Sequence, residues 1–485
     1  MMFRVFLTIG VLQVITMLLL LVRTKTLAVM LGPELVGVMA VIEKLLAVIA
    51  QTASLSLPFA AVRFLPARWE AGPAEFRELF TRMFNVLAAL ILAATAIALL
   101  VTWFRPDTWG KALLAYRDVL AVAILGLPVI GAIPFLQNAI AGRMQQNRSM
   151  IVGFLHALVV AISVLGIWWN GLLGYYAIYA VIGAALVVAV MGMATKGIDA
   201  PKPPRISLAL PGNIWRFSSA LLILAFLSPF AALFVHYRLL SEHGAVAAGL
   251  MQAAIGISLS VRAVLGTAHG VFLTPNVNRG GSAADRMAWA NNFQMIFCLI
   301  AGLALPPLLL FPDIAIYLLY SAEFSRGAAF VMLFVLTEIV ILLSGTYQSL
   351  VIALDHMSFH VWTNLTAHLL VVGIAYLLVG PLDILGAGIA VLVAPVFLFV
   401  ATTIFLYRKY DIYIPGRVAA RSTWLLISIF STGSMGVFFR LLDWESIVFK
   451  AGIYLMVVGG FAILLTDEER QRIRAKLADW KRRWV

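Results

Sequence analysis

The chain has 485 residues, of which 63% are hydrophobic and 12% charged, with a mean hydropathy of +1.00. A chain this long with so little charge cannot cover its apolar surface in water, which excludes a soluble protein and places most of it in a membrane. The net charge of +13 would suggest nucleic acid for a soluble protein; here it is read by side of the membrane, and no nucleic-acid partner is implied.

Apolar runs of helical length predict an all-α, polytopic membrane protein with about fourteen spans. They centre on Val5–Met30, Leu35–Leu65, Met83–Phe104, Val119–Ala141, Ile151–Trp169, Tyr175–Ala194, Ile214–His236, Ala247–Leu273, Trp289–Phe311, Ala328–Leu354, Phe359–Val379, Ile384–Tyr407, Ser422–Leu441 and Ile447–Thr466. Met1–Gly10 runs straight into the first span with no small-residue cleavage site, so that span is expected to be retained. On its helix Gln13, Thr16 and Arg23 share a face, while Lys25 is rotated away. The short loop Leu31-Gly-Pro-Glu-Leu leads into the second span, where Lys44, Ala47, Gln51 and Ser54 align and Pro58 marks a kink. The adjacent Glu43 and Lys44 can either face a substrate or neutralise each other across neighbouring helices. Ser228-Pro229 marks a second kink, in the seventh span.

The eighth span concentrates the polar chemistry. Gln252, Ser258, Arg262, Gly266 and His269 recur at helical spacing between Ala245 and Pro275, with Arg262 near the middle, too deep to snorkel out. An arginine at that depth costs roughly 2.5–3.5 kcal/mol on insertion scales, so something must face it. Two readings stand: a structural arginine that caps carbonyls of a broken helix or pairs with Glu43 or Glu338, or a cation lining a central cavity for an anionic substrate. Glu43 and Glu338 are the strongly membrane-embedded acids and hence the candidates for ion coupling. The single cysteine, Cys298, lies in an apolar helix, and the loops carry no metal or phosphate-loop motif, so no metal or cofactor is expected.

Two anchors repeat at one offset. Gly37 follows the short loop into the second span as Gly249 follows Ser241-Glu-His-Gly into the eighth, and Gln137 in the fourth span matches Gln348 in the tenth, both close to 212 residues apart. Phe64-Leu-Pro is echoed by Phe272-Leu-Thr-Pro. The implied organisation is two six-helix lobes, 1–200 and 201–410, around a central cavity, with two extra helices in 411–466 and a cytoplasmic amphipathic tail in 467–485. With the N-terminus inside, about 24 of the 35 Lys and Arg fall on the cytoplasmic side and about 7 outside, predicting that both termini are cytoplasmic. In the tail, Thr466 and Glu469 form a capping box, and Ile473, Leu477, Trp480 and Trp484 make an apolar stripe among six basic residues, suited to anionic lipid or to a cytoplasmic partner.

The run Arg23-Thr-Lys-Thr-Leu-Ala-Val-Met-Leu-Gly-Pro-Glu-Leu-Val-Gly resembles the first-to-second helix signature of the polysaccharide-transport (Wzx-type) flippases of the multidrug/oligosaccharidyl-lipid/polysaccharide exporter superfamily. Leu318-Leu-Tyr-Ser-Ala-Glu-Phe-Ser-Arg-Gly-Ala resembles the motif before their tenth helix, with Ser321 where the family commonly shows Gly. The resemblance implies helices one, two, seven and eight lining the cavity and cations that bind the diphosphate of a polyprenyl-linked oligosaccharide. The substrate-binding candidates are then Arg262, Arg23, Lys44, Gln13, Gln51, Gln252, Ser258 and His269. The chain is expected to act as a monomer in the lipid bilayer of the bacterial inner membrane, with other polysaccharide-assembly proteins as candidate partners.

The expected function is transport of the lipid-linked sugar from the cytoplasmic to the outer leaflet by alternating access. A peptidoglycan-precursor flippase is the nearest alternative. A cation-coupled multidrug exporter of the same fold typically carries a carboxylate on the first helix, absent here, and a cation-lined cavity would repel cationic drugs. An enzyme is disfavoured because no loop is long enough for a catalytic segment and no paired carboxylates appear.

Overall fold

The computed structural model describes residues 2–143, 145–196, 209–269, 273, 276–277, 282–439, 444–467 and 469–471. The apolar stripe of the tail and most of the Phe272-Leu-Thr-Pro echo lie outside the described residues, as does the side chain of Gln13. The helices are α1 (Met2–Ala53), α2 (Leu57–Ala71), α3 (Pro73–Phe104), α4 (Arg117–Ile124), α5 (Leu127–Gly142), α6 (Gln146–Ile162), α7 (Leu165–Thr195), α8 (Gly212–Ala268), α9 (Ala283–Leu310), α10 (Pro312–Leu319), α11 (Ala328–Ala353), α12 (Met357–Tyr410), α13 (Gly416–Phe438) and α14 (Trp444–Ile463). No strand occurs among the described residues. This is a multi-pass, all-α membrane protein, as the apolar runs predict.

Among the described residues, eight helices are long and apolar enough to cross a membrane. Two of them run to 54 and 55 residues, far beyond the roughly 20 that one crossing needs. The excess has a physical reason, because four continuous helices turn back at backbone breaks. Gly32 (φ 65°), Gly171 (φ 54°), Gly244 (φ 85°) and Asp383 (φ 54°) take left-handed conformations at the loops predicted between spans one and two, five and six, seven and eight, and eleven and twelve. These breaks themselves repeat, since Gly32 and Gly244 are 212 residues apart, as are Gly171 and Asp383. At the first break Pro33 follows Gly32, so one residue supplies the free backbone torsion and the next supplies a φ suited to a new helix. By contrast α8 keeps helical torsions through Pro229, and its break comes at Gly244.

The second span is broken inside its length, which the position of Pro58 foreshadows. Leu55 and Ser56 both adopt positive φ (47° and 57°) between α1 and α2, a conformation that costs a non-glycine residue of order 1 kcal/mol or more. Carbonyls freed there are re-used locally: Ser54 Oγ donates to the Gln51 carbonyl at 2.9 Å, and Asn138 Nδ2 donates to the Pro58 carbonyl at 3.0 Å. In a membrane such repair is required, because lipid offers no hydrogen bonds.

The chain divides into two compact units. Unit 1 comprises Met1–Gln252, Leu318–Phe324 and His368–Ala390. Its core stacks Phe76 on Phe80 and Phe80 on Phe135, each at 5.8 Å, among Leu57, Leu65, Met83 and Leu136. Helices approach closely at glycine, as membrane packing favours: a Cβ on Gly37 would lie 2.0 Å from the Ala245 carbonyl oxygen, and one on Gly249 only 1.8 Å from that of Pro33. Unit 2 comprises Ala253–Tyr317, Ser325–Ala367 and Val391–Val485. One of its core clusters joins Leu273, Met287, Tyr347, Leu350 and Leu406. Its Arg421, buried on α13, anchors the start of the tail through Glu469 (Nη1 to Oε1 3.0 Å) and the Leu464 carbonyl (Nη2 to O 2.8 Å). The predicted capping box is formed there, with Thr466 N donating to Glu469 Oε2 at 2.8 Å and Glu469 N donating to Thr466 Oγ1 at 3.2 Å.

Candidate functional site

In unit 1 the polar centre is built by the hairpin at Gly32. Arg23 lies nine residues before the break and Glu43 eleven after it, so at about 1.5 Å per residue both stand roughly 14–16 Å from the turn, at matching depth. Arg23 Nη2 donates to Glu43 Oε1 at 2.8 Å and to the Tyr175 hydroxyl at 2.7 Å. The guanidinium also lies 5.6 Å from the Tyr175 ring centroid. Arg23 is 17% exposed and Glu43 40%, so the pair is half-shielded and one edge of the carboxylate stays accessible. Buried Tyr176 packs edge-on against Tyr175 at 5.2 Å.

Three further predicted residues belong to unit 1. The His236 ring lies between Gln252 and its own helix, with Nε2 3.3 Å from Gln252 Oε1 and Nδ1 2.8 Å from the Ala232 carbonyl oxygen. Lys44 is half-buried and forms no ion pair among the described residues, so Glu43 is matched by Arg23 and not by its neighbour in sequence. Gln51 is exposed, one helical turn before the break at Leu55–Ser56. The two sequence signatures come together in this unit, because Gly32 of the first faces the Glu323 carboxylate of the second: a Cβ there would lie 3.0 Å from its Oε2.

In unit 2, Arg262 on α8 reaches Glu338 on α11, with Nη1 3.3 Å from Oε2. The two are unequal: Glu338 is 8% exposed and Arg262 48%. Of the partners left open by the sequence, Glu338 is therefore the one that meets Arg262, while Glu43 is engaged by Arg23. Glycine at 266, one turn on, keeps that face low, a Cβ there being 3.5 Å from Leu342 Cδ2. His269 lies edge-on to Phe293 at 5.7 Å. Ser258 is buried and donates back to the Ile255 carbonyl at 2.8 Å, a bond within its own helix.

Each strongly embedded acid is thus matched with an arginine, which removes the heaviest cost of charge in lipid. The long 3.3 Å contact leaves Arg262 with N–H donors to spare, and its half-exposed fork suits a carboxylate or phosphate. The tyrosines of the Arg23 cluster escape sequence reasoning. Tyr175 and Tyr176 open the sixth span as an adjacent aromatic pair, a signal that reads equally well as an interfacial anchor.

No family model matches the sequence, and no curated protein matches it either. Solved structures do match in fold. A lipid II flippase MurJ in an inward closed conformation has a TM-score of 0.65 at 10% identity, covering 94% of this chain and 97% of that one. An inward-facing multidrug resistance MATE family transporter of the MOP superfamily has a TM-score of 0.59 at 15% identity, covering 84% and 96%. A MOP superfamily transporter from Pyrococcus furiosus, described as having a binding pocket of reverse polarity, has a TM-score of 0.55 at 14% identity, covering 86% and 95%. The chain therefore has the all-α membrane fold seen in the lipid II flippase and in the MATE transporters.

Proposed function

We propose that this chain is a flippase that moves a polyprenyl-diphosphate-linked oligosaccharide from the cytoplasmic to the outer leaflet of a bacterial inner membrane by alternating access. The observation that carries the reading is Arg262: a guanidinium 48% exposed within a membrane-spanning helix, its contact to Glu338 a long 3.3 Å. A diphosphate brings enough negative charge to compete for that guanidinium, and in a low-dielectric site each charge-assisted contact is stronger than in water. Arg23 and Lys44 supply further cations, with Gln13, Gln51, Gln252, Ser258 and His269 as polar candidates for the head group. Glu43 and Glu338 are the ion-coupling candidates, since an acid that releases its arginine on protonation would expose a cation for the substrate. In this reading the protein is a transporter and not an enzyme, and both termini are cytoplasmic.

The likeness to a lipid II flippase favours a second reading, a peptidoglycan-precursor flippase. Both readings share the polyprenyl diphosphate, so the decisive assay varies the lipid. In proteoliposomes, transport of fluorescent lipid-linked sugars should require the diphosphate, falling at least tenfold when the same lipid carries one phosphate. Efflux of a cationic dye with no lipid flipping would instead support an exporter. Comparing an oligosaccharide head with a peptidoglycan-precursor head separates the two flippase readings.

A further inference from the structure

Unit 1 holds a cavity of about 370 Å³ where α2 meets the start of α8, with Arg63 and Arg68 in its wall and Phe64, Leu79 and Asn213 beside them. Both contributing stretches belong to basic loops that the charge distribution assigns to the cytoplasmic side. Arg63 is held in place, because its guanidinium lies 4.6 Å from the Phe217 ring centroid and 5.7 Å from that of Phe64, and the two rings meet edge-on at 5.6 Å. It forms no ion pair among the described residues. Arg68 keeps part of its fork free beyond its 2.7 Å contact to Glu75. On the same helix Phe59 (61%), one turn before Arg63, and Val62 (52%), beside it, are exposed. A positioned guanidinium pair at a cavity mouth, continued by an apolar pair at i and i+3, matches an amphipathic anion in the interface.

We infer that this cavity binds the head-group phosphate of an anionic phospholipid of the inner leaflet, with an acyl chain along Phe59 and Val62. The aromatic rings hold Arg63 so that its planar fork meets phosphate with little loss of side-chain freedom. The phosphate is attracted by Arg63 and by the part of the Arg68 fork that Glu75 leaves free. The site is separate from the Arg23 and Arg262 centres in its residues and does not depend on what the protein transports.

The test uses full-length purified protein, with lipid retention read by native mass spectrometry and melting temperature read on added phosphatidylglycerol, phosphatidylethanolamine or inorganic phosphate. The wild type should retain phosphatidylglycerol and melt higher with it, with little response to the other two. Arg63→Gln with Arg68→Gln should weaken phosphatidylglycerol binding at least tenfold. Should that variant prove unstable, Arg63→Lys with Arg68→Lys, which keeps charge but loses the fork, should bind at intermediate strength. Unchanged retention in either double variant, or an equal response to phosphatidylethanolamine, would overturn the proposal. An equal response to inorganic phosphate would make this a free-phosphate site and overturn it too. No transport is read, so the outcome leaves the flippase reading untouched.

Discussion

Gly37 and Gly249, 212 residues apart in sequence, sit at one helix crossing in unit 1, where a Cβ on Gly37 would come within 2.6 Å of the Gly249 backbone nitrogen. Each stands five residues after a glycine with positive φ, Gly32 or Gly244, that reverses the chain. The clash is with backbone, which cannot rotate away as a side chain can. Gly37→Ala and Gly249→Ala should therefore each destabilise the protein by about 1–3 kcal/mol, or force the two segments apart. Thermal unfolding in detergent, with labelling of cysteines placed beside the crossing, checks this; wild-type stability and labelling in both variants would show that the crossing does not form.

The Arg23–Glu43 pair gives an asymmetric expectation. Arg23 is the more shielded member, so Glu43→Ala leaves a cation half-buried with one bond to Tyr175. Losing the acid from a fully buried pair costs about 3–5 kcal/mol; with Glu43 at 40% exposure the cost should fall to about 1–3 kcal/mol. Tyr175→Phe, which removes one hydroxyl and keeps the ring over the guanidinium, should cost about 1 kcal/mol. Chemical denaturation in the same micelle should find the wild type most stable, Tyr175→Phe next and Glu43→Ala least stable.

What the sequence makes legible differs from residue to residue. The reversals at Gly32, Gly171, Gly244 and Asp383 fall in predicted loops, because Gly, Pro, Asn and Asp mark chain reversal by local torsion alone. The capping box at Thr466 was readable for the same reason, being a local motif. The pairing of Arg262 is open between two acids in the sequence because which helices meet is a tertiary matter; in the fold Glu338 faces it. The break at Leu55–Ser56 was visible only through Pro58, since Ser and Leu carry no strong torsional signal of their own. Tyr175 as an arginine ligand was not legible at all, because an aromatic residue near a span end is ordinary in membranes.

The start of the tail should loosen in acid. Hydrogen bonds from Arg421 hold the Glu469 carboxyl at about 2, well below its usual 4.5. With the folded value depressed, the stabilising contribution is complete above about pH 4.5 and is lost as pH falls toward 2. Glu469→Gln should thus lower the melting temperature at pH 7 and make progressively less difference as pH falls through that window. Melting curves at pH 7, 4 and 3 measure this, and a mutational effect that stays constant across them would rule out the linkage.

Charge asymmetry predicts the topology. Reporter fusions after Val485 and within Lys196–Arg205 should both read cytoplasm, and a fusion in Asn170–Gly174 should read the opposite side. An outer signal from either of the first two would break the fourteen-span order.

The central claim rests on Arg262, and transport and thermal stability measured on the same membranes test it most directly. Arg262→Ala alone is a poor probe, because it leaves the Glu338 carboxylate, 8% exposed, without the guanidinium that now faces it. Arg262→Ala with Glu338→Gln removes both charges, and should yield a stable protein whose flipping of a polyprenyl-diphosphate-linked sugar falls at least a hundredfold. Arg262→Lys, which keeps the charge but loses the planar fork, should recover part of that rate. A double variant as active as the wild type would contradict the account, showing that transport needs neither the Arg262 guanidinium nor its pairing with Glu338.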